Sequence, residues 1–128
     1  MDIIDKIKNV DWASYKGPDC YDPDELLEAL LHLYEYNESK AKNGLDNKVL
    51  FAIGNNHAGT YYPAIIEAAD LLIEIEKSAK SEDARKCANG ILNNLYYFEP
   101  ELGGYIGHSC EELAIFVEKK LRVYRDET

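Results

Sequence analysis

Between Ala64 and Ile75 apolar side chains fall on almost every side of a helical wheel. Ile65, Ile66, Ala69, Leu72 and Ile73 are joined by Ala68, Leu71 and Ile75. Only Glu67, Asp70, Glu74 and Lys77 form a narrow polar stripe. A helix apolar on most of its circumference has to be surrounded by other elements. The rest of the chain must therefore supply helices that pack around it.

The remaining pattern supplies them. Ile3, Ile4, Ile7 and Val10 recur at helix spacing and predict a short first helix. The segment from Asp11 to Tyr21 is irregular, with Gly17-Pro18-Asp19 as a turn, and its Trp12, Tyr15 and Tyr21 are expected to pack onto the body. Asp22-Pro23-Asp24-Glu25 is a helix start. Its carboxylate can accept from free backbone N–H groups, and its proline suits the first turn. The second helix places Leu26, Leu27, Leu30, Leu31 and Tyr34 on one face. Glu25, Glu28, His32 and Glu35 lie on another, and its end is expected near Asn43-Gly44.

Asn47 to Ile53 is a short third element. Its apolar run suits a buried strand as well, but no second strand is visible to pair with it, so a helix ending at Gly54 is expected. Thr60 is the expected N-cap of the fourth helix, with Pro63 in its first turn. A fifth helix starts at Ser81 and ends at Glu99-Pro100. Ser109 and Glu112 form a capping box that opens the last helix, which runs to about Tyr124. Residues 1–128 thus read as one all-α domain of about six helices, either stacked helical hairpins or a compact helical bundle.

Charge narrows function. The chain has 24 acidic and 14 basic residues and a net charge of −10. Phosphate backbones require Lys and Arg, so nucleic acid is disfavoured, as is an anionic membrane surface. Nowhere does an apolar run reach the roughly 20 residues that span a bilayer. The balance favours a basic protein partner. Three widely spaced cysteines, Cys20, Cys87 and Cys110, suit a reducing cytoplasm better than a disulfide framework, and the N-terminus lacks the pattern of a signal peptide.

Catalytic signals are thin. No metal-ligand spacing and no phosphate-binding loop is present, so neither metal nor cofactor is expected. His108-Ser109-Cys110 brings imidazole, hydroxyl and thiol together, yet the capping box already accounts for Ser109. His57, between Asn55, Asn56 and Thr60, reads as a binding residue or base, or as a histidine that only rigidifies its loop. Tyr61 and Tyr62 are expected to split, one ring in the core and one half exposed. The chain is read as a non-enzymatic binding protein. Its expected contact residues are Asp22, Glu25, Glu28, Glu35, Asn56, His57, Tyr61, Tyr62, Tyr96, Tyr97, Glu99 and Glu101.

The turn Asn56-His57-Ala58-Gly59-Thr60-Tyr61-Tyr62-Pro63-Ala64, followed by the apolar helix, resembles a segment common in small HEAT-repeat-like bacterial proteins. The resemblance covers roughly Asp46 to Phe98, and the doubled tyrosine before Pro63 departs from it. It implies stacked helical hairpins of the HEAT or ARM kind. Many small acidic proteins of this sort resemble immunity proteins of polymorphic-toxin systems, including contact-dependent growth inhibition. That resemblance implies a cytoplasmic antitoxin bound to the basic C-terminal domain of a cognate, nuclease-type toxin. A helical adaptor without toxin-neutralising activity is the alternative.

Overall fold

The computed structural model describes residues 2–15, 21–36, 45–100 and 109–125. Its first helix, α1 (Ile3–Asn9), is started by Asp2, whose carboxylate accepts the N–H of Asp5 at 2.9 Å. A 3-10 turn, Trp12–Ser14, follows. Trp12 is buried and its indole N–H donates to the Ile7 carbonyl at 3.0 Å, while the Tyr21 hydroxyl donates to the Trp12 carbonyl at 2.7 Å. The irregular aromatic segment thus closes on the body as its composition implies.

In α2 (Pro23–Tyr34) the Asp22 carboxylate accepts from Asp24 N–H at 2.9 Å and Glu25 N–H at 3.3 Å. The buried face is Leu26, Ala29, Leu30 and Leu33, with Leu27, Leu31 and Tyr34 half-buried beside it. The helix ends at Tyr34, well before Asn43-Gly44. The chain leaves the helix at Glu35, and the next carbonyl, of Tyr36, accepts the Ser81 hydroxyl at the start of the fifth helix. Asn43 and Gly44, and the turn Gly17-Pro18-Asp19, lie outside the described residues.

The third element is a helix, α3 (Leu45–Ile53), beginning slightly ahead of the expected Asn47. The chain then forms two short strands, β1 (Gly54–Asn55) and β2 (Thr60–Tyr61), before α4 (Ile65–Ser78). Thr60 is therefore not the N-cap. Its backbone is engaged in the sheet, and α4 starts instead through tight bonds from Ile65 N–H to Tyr62 and from Ile66 N–H to Pro63. Ala64 occupies the cap position without a side-chain bond.

Ser81 caps α5 (Glu82–Tyr97) by accepting the Ala84 N–H at 2.9 Å. A third strand, β3 (Glu99–Pro100), ends that arm. Ser109 caps α6 (Cys110–Leu121), accepting the Glu112 N–H at 3.1 Å, and a 3-10 turn, Arg122–Tyr124, extends it. The three strands form one sheet in the order β1-β2-β3, antiparallel then parallel. The small sheet is an addition to the expected all-α fold, and it carried no sequence signal because each strand is too short to show a period of its own.

The result is an all-α protein with this minor sheet at one corner. The α2–α3 pair packs on the α4–α5 pair, and α4 also meets α1 and α6. Ile65, Ala68, Ala69, Leu71, Leu72 and Ile75 of α4 are buried in one hydrophobic cluster with residues of the other five helices. The central position expected of this helix follows from its wheel: each fully buried Leu or Ile contributes about 1.5–3 kcal/mol.

Candidate partner-binding surfaces

The hairpin β1–β2 is built by its loop. The Asn55 side chain accepts from His57 N–H at 3.1 Å and Ala58 N–H at 3.3 Å, and Gly59 adopts φ 69°, the left-handed region that favours glycine. Residue pairs Thr60–Glu99 and Tyr61–Pro100 then join β2 to β3 in parallel, with Glu99 N–H donating to the Gly59 carbonyl at 2.9 Å. The fold therefore brings together residues 56–62 and 96–99, which the chain separates by a helical hairpin.

The side chains at this corner divide sharply. Tyr61 and Tyr62 are both buried, at 1% and 3% exposure. The expected split does not occur, and neither ring is available as a contact anchor. Burial holds the Tyr61 hydroxyl protonated far above the usual tyrosine range, with Glu99 adding to the effect. Tyr62 stands edge-on to Tyr21 at 5.8 Å, so it joins the hairpin to the entry of α2. The reason is geometric: successive strand residues point to opposite faces, but here Tyr62 has already left the strand and turns inward with Pro63.

Asn56 and His57 sit outward but are tied down. The Asn56 amide donates to Asn47 on α3 at 2.9 Å. The His57 ring is edge-on to Phe51, also on α3, at 5.0 Å. Lys48 of α3 in turn lies 3.3 Å from Nδ1 of His32 on α2. One polar and aromatic seam thus runs from α2 across α3 to the hairpin.

The acidic stripes also differ from each other. On α4, Glu67 accepts the Tyr15 hydroxyl at 3.0 Å, Asp70 pairs with Lys120 at 2.7 Å and Glu74 pairs with Lys6 at 2.8 Å. These acids serve the fold, lining a groove of about 530 Å³ between α1 and α4. On α2, Glu25, Glu28, His32 and Glu35 are all exposed, and the three glutamates make no ion pair among the described residues. Asp22 is exposed too, but its carboxylate is engaged as the helix cap.

At the end of α5, Tyr96 and Tyr97 meet edge to face at 5.1 Å. A hydrogen bond to Glu118 raises the Tyr96 hydroxyl above its usual range. Tyr97 is 55% exposed and Glu99 is exposed. Glu101 lies outside the described residues, as do Cys20 and His108. Three exposed apolar side chains were absent from the expected set, Phe51 at 41%, Ile115 at 48% and Val123 at 84%. Ile115 had a legible signal, since it interrupts the polar stripe Glu111, Glu118, Arg122 at helix spacing.

Cys87 is half-buried, and burial together with Asp46 pushes its thiol up to about 11, so it is a poor nucleophile near neutral pH. Among the described residues, no group of three or more His, Cys, Asp or Glu is placed to hold a metal, and no helix is long and apolar enough to cross a membrane.

Fold and surface together define a small all-α protein whose outward chemistry is carboxylate and aromatic. Compared with protein-family models, curated proteins and solved structures, the chain matches none.

Proposed function

We propose that this chain is an immunity protein that binds and neutralises a basic, nuclease-type toxin domain in the cytoplasm. The observation that carries the reading is the exposed face of α2. There Glu25, Glu28 and Glu35 stand without ion pairs among the described residues, while Asp70 and Glu74 of α4 pair with Lys120 and Lys6. Uncompensated carboxylates in a chain of net charge −10 repel one another, and a basic partner relieves that repulsion. They also speed encounter with such a partner by long-range attraction. The resemblance of the Asn56 to Ala64 turn to HEAT-like proteins points the same way.

Tyr61 and Tyr62 leave the set of contact residues because they are buried. Asp22, the α2 glutamates, Asn56, His57, Tyr96, Tyr97 and Glu99 remain in it, and Glu101 stays in it on the sequence alone.

The test is capture by the tagged chain from its native bacterium, followed by mass spectrometry. Recovery of one basic toxin C-terminal domain in stoichiometric amount, and survival of cells that co-express the two, is the expected result. Recovery of assembly or signalling proteins alone replaces the antitoxin with an adaptor.

A further inference from the structure

Four large apolar side chains are exposed among the described residues: Phe51, Tyr97, Ile115 and Val123. Local charge separates them. Phe51 has Lys48 one helical turn away and the His57 ring against it. Val123 lies beside Arg122 and lines a groove of mixed charge, with Lys77, Lys120 and Arg125 against Asp70 and Glu76. Tyr97 and Ile115 instead have Glu99, Glu111 and Glu112 near them in sequence, three exposed carboxylates without an ion pair among the described residues, with the base Lys119 a turn beyond Ile115 on α6.

The register brings these residues to one side. The Asn93 amide donates to the Tyr124 carbonyl at 2.6 Å, Tyr96 lies beside Glu118, and β3 packs on α6. As α5 advances, its partners on the α6 arm therefore step backward, so the two run antiparallel. On this antiparallel course Ile115, one turn before Glu118, lies towards the end of α5 that carries Tyr97. Glu111, Ile115 and Glu118 share one stripe at i, i+4 and i+7.

We infer that this α5–α6 face, with Tyr97 and Ile115 as apolar anchors inside a rim of Glu99, Glu111 and Glu112, is where the basic protein partner docks. The inference rests on the proposed antitoxin function and selects one surface for it. Charge complementarity identifies the occupant: the rim is acidic, and a second copy of a chain of net charge −10 is repelled. An aromatic and an aliphatic knob within a polar rim is the arrangement in which a few residues carry most binding energy. The α2 glutamates then act on encounter, since steering does not require contact.

The test uses the basic toxin domain recovered with the wild-type chain and measures binding kinetics against salt. Tyr97→Ala with Ile115→Asp raises Kd by about tenfold or more, mainly through faster dissociation. Glu99→Gln with Glu111→Gln and Glu112→Gln slows association and flattens its salt dependence. Val123→Ser, at the most exposed apolar side chain, stays within about twofold, which sets the groove beside α4 apart. Circular dichroism and thermal unfolding give the folded fraction of each variant, and binding is corrected for it, because Tyr97 also contacts Tyr96. Unchanged dissociation for the Tyr97 and Ile115 variant overturns the docking face while leaving the antitoxin function intact. Absence of any basic partner for wild type overturns both. A wild-type dimer in sedimentation that Ile115→Asp dissociates also overturns it, by making a second copy the occupant.

Discussion

A Cβ on Gly54 would lie 2.0 Å from the carbonyl oxygen of Thr60 and 2.6 Å from the Cα of Tyr61. The obstructing atoms are backbone, which cannot rotate away. Any side chain at residue 54 must push β1 off β2, and with it the junction to β3. Gly54→Ala is expected to cost about 3 kcal/mol or more in urea unfolding. Gly90 is the contrast. It lies within α5 with nothing within 4 Å of an added Cβ, so Gly90→Ala raises stability by about 0.5–1 kcal/mol.

The burial of both tyrosines at the sheet corner sets a second expectation. Tyr61→Ala removes a fully buried ring and costs about 3–5 kcal/mol. Tyr62→Ala also destabilises, with loss of the edge contact to Tyr21. Their effect on partner binding runs through unfolding: any variant population that remains folded binds at the wild-type rate. Stopped-flow binding corrected for the folded fraction measures this directly.

Ser81 performs two tasks, accepting the Ala84 N–H and donating to the Tyr36 carbonyl. Ser109 performs the cap alone. Ser109→Ala is expected to cost about 1 kcal/mol. Ser81→Ala costs about 2 kcal/mol, because the carbonyl just past α2 loses its partner as well. Paired denaturation curves for the two variants decide the order.

Alkaline pH provides a fourth. Burial raises Tyr15, Tyr21 and Tyr124 from 10.0 to about 12, aided for Tyr15 by its bond to Glu67 and for Tyr124 by the charge of Glu76. The folded state holds these phenols protonated more strongly than the unfolded state does. Their contribution is complete below pH 10 and is lost as pH rises towards 12. The urea midpoint should stay level on approach to pH 10 and fall beyond it, together with tyrosinate absorbance. Glu67→Gln brings the ionisation of Tyr15 to lower pH.

Charge reversal on α2 gives a fifth. Glu28→Lys and Glu35→Lys each change stability by no more than about 0.5 kcal/mol, since both are exposed and unpaired among the described residues, whereas Glu25→Lys costs about 1 kcal/mol because it reverses a charge in the first turn of α2. Together they slow association with a basic partner at low salt, and the difference shrinks as salt rises. An unaltered association rate removes α2 from the encounter surface.

The sequence by itself determined the helical character of the chain, the caps Asp22, Ser81 and Ser109, and the central place of α4. Those features depend on spacing within one element and on local bonds, such as Asp22 to the α2 start or Ser109 to Glu112. Tertiary structure alone decided what the Tyr36 carbonyl meets just past α2, that Thr60 serves a sheet, and that Tyr61 and Tyr62 are both buried. Each of these depends on a partner distant in the chain: Ser81 for Tyr36, Glu99 for Thr60, Tyr21 for Tyr62. The acidic stripes show the same division. Glu25 and Glu67 look alike on their helical wheels, but Tyr15 reaches Glu67 and no described basic side chain pairs with Glu25. Spacing assigns a side chain to a face, and only the packed chain decides what that face meets.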